Sequence, residues 1–150
     1  MADRRFYAGN RRKESSRVVM NRAALTALAQ GIADGYGQFG QTVLDVARPM
    51  VPDAPPYGLG LVNSGGWVVF ANGRKVGGTA NVRLGRRDQN RPPRQGIALF
   101  VGYAFPGRFA ERGTVRTRAQ PFLSPALFET LPRLPALVRD ATAARLGRVR

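Results

Sequence analysis

The chain has 150 residues, 24 Lys and Arg against 9 Asp and Glu, and neither cysteine nor histidine; 43% of it is hydrophobic. That length and apolar content fit one domain with a buried core and argue against bulk disorder. Without Cys or His, disulfides, thiol chemistry, Cys- or His-ligated metals and every Ser-His-Asp arrangement are excluded.

The net charge of +15 directs attention to a polyanion or an acidic protein partner. The cations are nearly all Arg, with lysine only at Lys13 and Lys75. GC-rich coding also yields arginine, so charge alone selects no partner. No apolar run approaches the roughly 20 residues that span a bilayer, so no membrane role is expected.

Residues 1–20 carry Arg4, Arg5, Arg11, Arg12, Lys13 and Arg17 with few bulky apolar side chains. They read as a basic N-terminal arm without the apolar stretch of a secretory signal, so a non-secreted protein is expected. Residues 21–150 form the single folded domain.

Asn21 is a suitable N-cap. Behind it, Leu25, Leu28, Ile32, Tyr36, Phe39, Val43, Val46 and Met50 recur in steps of three and four. This spacing predicts one long helix of about seven turns with those side chains inward. Gly31, Gly35, Gly37 and Gly40 weaken the helix or admit a close neighbour, and Pro49 and Pro52 end it. Residues 51–65 hold Pro52, Pro55, Pro56, Gly58, Gly60 and Gly65, which predicts a long non-helical loop.

From Trp67 the period becomes strand-like. The run 67–70 leads to Asn72-Gly73, a strong hairpin signal. Residues 79–84 are a candidate second strand with Val82 and Leu84 inward. Residues 86–94 form a polar loop with Arg86, Arg87, Arg91 and Arg94. The apolar run 96–103 is the best strand and suits a central position. A loop with Phe105, Pro106 and Phe109 follows. The last helix is expected over 124–146, capped by Ser124 with Pro125 at its first position and closed by Gly147. Leu127, Leu131, Leu134, Leu137, Val138 and Leu146 are its expected core face. The fold class is therefore α+β, with a long N-terminal helix and a C-terminal helix packed on a small antiparallel sheet of three or four strands.

Catalytic patterns are absent. The run Gly73 to Thr79 superficially resembles a phosphate loop but lacks the G-x-x-x-x-G-K-[ST] order. The acids are scattered and show no paired-carboxylate signature. No cofactor or metal site is expected.

The segment 111–127 is the most distinctive. Phe109-Ala110-Glu111-Arg112-Gly113-Thr114 and Ala119-Gln120-Pro121-Phe122-Leu123-Ser124-Pro125-Ala126-Leu127 resemble the C-terminal signature of the neck and tail-completion proteins of long-tailed bacteriophages. In that family a strand end leads through a short arm to a final helix. Pro52, Tyr57-Gly58-Leu59 and Asn63-Ser64-Gly65 are similar to the family's motif after the long helix.

The resemblance covers residues 21–146. It implies a non-enzymatic virion protein, assembled in the host cytoplasm, that forms a homo-oligomeric ring, a hexamer, at the head–tail junction. As tail completion or tail terminator it would cap the tail tube, and its neighbours would be the head-closure or connector ring and the tail tube protein. Glu111, Gly113, Thr114, Arg116, Arg118, Pro121, Phe122 and Leu123 are the candidate inter-subunit or ring-docking residues.

Several roles stay open at this level. Prolines restrict the arm and lower the entropy lost on docking. Phe122 and Leu123 either anchor the arm in a neighbour's pocket or close the chain's own core. Glu111 either pairs with an arginine of its own or a neighbouring subunit, or is an ordinary solvated carboxylate. Arg86, Arg87, Arg91 and Arg94 are candidate contacts to transiting genomic DNA or to an acidic partner. The alternative function is non-sequence-specific nucleic-acid binding, although no aromatic residues interleave the basic clusters as stacking platforms.

Overall fold

The computed structural model describes residues 21–53, 58–79 and 93–149. The basic arm 1–20, the candidate strand residues Val82 and Leu84, and Arg86, Arg87 and Arg91 lie outside the described residues.

Helix α1 runs over Arg22–Ala47, and the Asn21 side chain caps it by accepting the Ala23 N–H at 2.9 Å. A 3₁₀ turn, Arg48–Met50, carries Pro49 at the point where the helix stops. The apolar stripe is only partly inward. Phe39 and Val43 are buried, whereas Leu25, Leu28 and Met50 are exposed. The buried face of the N-terminal half consists of Ala27, Gly31 and Gly35.

The reason is a close helix crossing. α5, Leu134–Leu146, lies along α1. A Cβ on Gly31 would sit 2.5 Å from Thr142 Cα, and one on Gly35 would sit 2.5 Å from Val138 Cα. No such atom fits, so glycine here sets the interhelical distance. Large side chains are excluded from the contact and move to its rim.

Residues 51–65 are not wholly a loop. α2, Gly58–Val62, inserts a short helix that buries Leu61. Strand β1, Gly66–Ala71, then pairs antiparallel with β2, Arg74–Gly78. Asn72 and Gly73 both have positive φ, 49° and 79°, as a two-residue hairpin turn requires. The pairing slips between Val69 and Phe70, which leaves Val76 exposed in a bulge.

Strand β3, Ile97–Gly102, pairs with the other side of β1, so the order is β2-β1-β3. Thus β1, not the more apolar β3, is central among the described strands. β3 draws its burial from α1: Leu99 and Val101 pack on the core alongside that helix. Trp67 lies over Gly37 and Gly40 of α1, where a Cβ would approach its side chain to 2.7 and 2.9 Å. Its indole N–H donates to Gln41.

The stretch after β3 is helical rather than a loop. α3, Phe105–Arg112, starts with Pro106 in its first turn, where a missing N–H costs nothing. The final helix is divided into α4, Leu123–Thr130, a 3₁₀ turn Leu131–Arg133, and α5. Pro132 and Pro135 fall at the joins.

Its core face also differs from the expected one. Ala126, Thr130 and Ala141 are buried and Leu134 and Leu137 pack on the core, while Leu127, Leu131 and Leu146 are exposed. Gly147 ends α5 in right-handed geometry, with its N–H on the Ala143 carbonyl, so it is not a left-handed stop. The class is α+β: α1 lies on a three-stranded antiparallel sheet, and α4 and α5 pack on α1.

Candidate functional site

The segment 105–124 is built around one carboxylate. Glu111 sits in the last turn of α3, not at a strand end. Gly113 follows with φ 74°, and its N–H closes on the Phe109 carbonyl at 2.7 Å. Only glycine adopts this φ without strain, and a Cβ would also meet Ala119 N at 2.7 Å.

Thr114 then folds the arm on itself. Its N–H donates to the Thr117 carbonyl at 2.8 Å, and its hydroxyl accepts the N–H groups of Arg116 and Thr117. The returning chain is pinned where Gln120 N–H donates to the Ala110 carbonyl at 2.8 Å.

The Glu111 side chain meets the start of α4. It accepts the backbone N–H groups of Phe122, Leu123 and Ser124 at 2.8, 2.9 and 2.9 Å, and the Ser124 hydroxyl donates to it as well. A helix leaves its first N–H groups without intrahelical partners. Here each is accounted for: Glu111 takes three, Pro125 has none, and Ala126 N–H reaches the Phe122 carbonyl. Glu111 is thus the N-cap group of α4, supplied from the preceding helix and favoured by the helix dipole. Ser124 is not the cap; it lies one residue inside the helix and donates to the cap instead. Among the described residues Glu111 pairs with no arginine, and it is a capping group rather than an ordinary solvated carboxylate.

Partial burial by itself would raise the Glu111 pKa. The hydrogen bonds from the Ser124 hydroxyl and the three N–H groups outweigh it, and the net shift is below the usual carboxylate value.

Phe122 resolves the other alternative. It is 1% exposed and stacks edge-on against Tyr103, with ring centroids 5.1 Å apart. Its neighbours in the core are Phe39, Val43, Ala47, Leu61, Ala110 and Ala126 of the same chain. Leu123 is half-buried against that cluster. Phe122 therefore closes its own core rather than reaching for a neighbour's pocket. Burial raises the Tyr103 pKa, opposed by nearby Arg48 and aided by Asp45.

The remaining candidates lie at the surface. Thr114, Arg116, Arg118 and Pro121 are exposed. Val115, at the arm's tip, has no cover at all. Arg94 is exposed before the start of β3, whereas the arm follows α3, which begins beyond the strand's end. The sequence reading missed Val115 and the outward Phe128, for which helical phase was the available signal. At about 100° per residue, Phe128 points away from the buried Ala126 and Thr130.

A groove of about 440 Å³ between α1 and the β1–β2 hairpin is lined by Asp34, Gln38, Gln41, Trp67, Val76 and Arg145. Its polar groups engage one another: Arg145 Nε donates to Asp34 at 2.6 Å, and Gln41 bridges Trp67 and Asp45. Among the described residues, no group of three or more Asp or Glu side chains is placed to hold a metal, and no helix is long and apolar enough to cross a membrane. Comparison of the chain with protein-family models, with curated proteins and with solved structures finds no match.

Proposed function

We propose that this chain is a structural virion protein that forms a ring at the head–tail junction of a long-tailed phage. There it acts in tail completion or termination, capping the tail tube and meeting the head connector. The observation that supports this reading most is the Glu111 clamp. The two short runs that carry the family resemblance, around Glu111-Gly113-Thr114 and around Pro121-Phe122-Leu123, are separate in sequence but hydrogen-bonded into one unit. A pinned, rigid arm with an exposed cationic tip suits docking between subunits, because little entropy is lost when it binds.

Ring assembly from one kind of subunit uses two different surfaces on each copy, and closure limits its growth. Electron microscopy of the concentrated protein tests the reading. Closed rings of sixfold symmetry are expected; a particle that is monomeric at every concentration contradicts it. Duplex DNA binding tighter than micromolar at physiological salt would instead support the nucleic-acid alternative.

A further inference from the structure

The three-stranded sheet carries no carboxylate. Residues 66–79 and 93–102 contain Arg74, Lys75 and Arg94 and neither Asp nor Glu. The described acids stand on the helices or at Asp53. In sequence, residues 80–92 hold Arg83, Arg86, Arg87 and Arg91 against the single Asp88, so they do not offset the sheet's charge.

The fold gathers the three cations at one end of the sheet. The Asn72 N–H donates to the Gly96 carbonyl at 2.8 Å, and Asn72 Oδ1 accepts the Gly96 N–H at 2.9 Å. The hairpin turn is thereby tied to the chain that leads into β3. A Cβ on Gly73 would stand 3.9 Å from the carbonyl oxygen of Pro93, the residue before Arg94. Arg74 opens β2 opposite Ala71, whose other partner is Ile97. Arg74, Lys75 and Arg94 are exposed, and none forms an ion pair among the described residues. Backbone hydrogen bonds thus hold like charges near one another with no acid between them.

We propose that this hairpin end binds the phosphate backbone of duplex DNA without regard to sequence. It adds Arg74 and Lys75 to the candidate role of Arg94, a grouping that exists only in the folded sheet. Residues 72–75 and 93–96 offer no large apolar side chain of the kind that anchors a protein interface. The nearest one, Val76, lines the groove with Trp67 instead. A second copy supplies no matching surface among the described residues. Asp34 and Asp140 pair with arginines, Asp45 accepts from Gln41 and Glu111 caps α4, which leaves Asp53 and Glu129 on separate elements. Duplex DNA presents one negative charge per about 1.7 Å, a density that three adjacent cations can meet together. Such contacts carry no sequence information and release counterions, so salt weakens them.

The inference concerns the surface of one copy and does not rest on ring assembly. Fluorescence anisotropy of a labelled duplex, titrated with the full chain between about 50 and 200 mM salt, tests it. Each phosphate contact contributes about 0.9 to the slope of log affinity against log salt. The triple variant Arg74→Gln, Lys75→Gln, Arg94→Gln is expected to bind more weakly, with a slope shallower by about 2.7. A control of equal charge, Arg22→Gln, Arg133→Gln, Arg148→Gln, changes exposed residues of the helical part and is expected to keep the wild-type slope. Circular dichroism checks that both variants fold. Equal loss in the two variants overturns the proposal, because binding then follows net charge and not the hairpin end. A wild-type chain that binds polyglutamate but no duplex at the lowest salt also overturns it and gives the cluster to an acidic protein. Either failure leaves the ring reading standing, since particle shape tests that separately.

Discussion

The Glu111 carboxylate accepts both the backbone N–H and the side-chain hydroxyl of Ser124, thirteen residues further along the chain. One side chain thereby joins the end of α3 to the start of α4 and fixes the arm between them. Replacing Glu111 by Ala strands N–H groups at the start of α4. Loss of a cap with charge-assisted bonds is expected to cost about 1–3 kcal/mol. Glu111→Gln keeps one acceptor oxygen and should lie between that variant and wild type. Urea unfolding followed by circular dichroism measures both.

The same carboxylate predicts a pH dependence. Its folded-state pKa lies below the ordinary value of 4.5. Such a group adds stability above its unfolded pKa and loses it as pH falls through the folded one. The stability gap between wild type and Glu111→Gln should be constant at neutral pH and narrow below about pH 4.5. A gap that widens in acid would mean that Glu111 is not held as its carboxylate.

The α1–α5 crossing predicts intolerance of a single methyl group. Gly31→Ala or Gly35→Ala would drive a Cβ to 2.5 Å from the backbone of α5. Backbone cannot swing aside as a side-chain tip can. Overpacking of this kind costs about 1–3 kcal/mol, against which alanine's better helix propensity returns up to about 1 kcal/mol. Gly60 in α2 is the control: a Cβ there meets nothing within 4 Å, so Gly60→Ala should be neutral or slightly stabilising. Melting temperatures of the three variants decide this.

Phe122→Ala removes a 1%-exposed ring from the cluster that joins α1, α3 and α4. A loss of about 3–5 kcal/mol is expected, enough to compromise folding of the monomer itself. A variant that folds as stably as wild type and fails only to assemble would return Phe122 to an inter-subunit role.

Signals that act within a few residues were legible in the sequence. Asn21 caps α1, Asn72-Gly73 turns the hairpin, and Pro49 marks the end of the first helix, each through local backbone chemistry. Relationships across the fold were not. Glu111 reaches its partners only because α3 and α4 meet at their ends, and nothing near Glu111 in the chain announces a helix start twelve residues on. Periodicity placed Leu25 and Leu28 inward because it weights side-chain size. The close approach of α5 favours the small side of the helix instead, so Ala27, Gly31 and Gly35 are buried. Pro106 and Gly107 look like breakers, yet a proline in the first turn opens a helix as well as it ends one.

The central claim is a place in the virion, and a reconstruction of the purified particle tests it most directly. A ring of density is expected at the head–tail junction into which α1, the sheet and the Glu111-clamped arm fit, with neighbouring copies in contact. Absence of the chain from purified virions, or a neck whose rings cannot accommodate this fold, would contradict it.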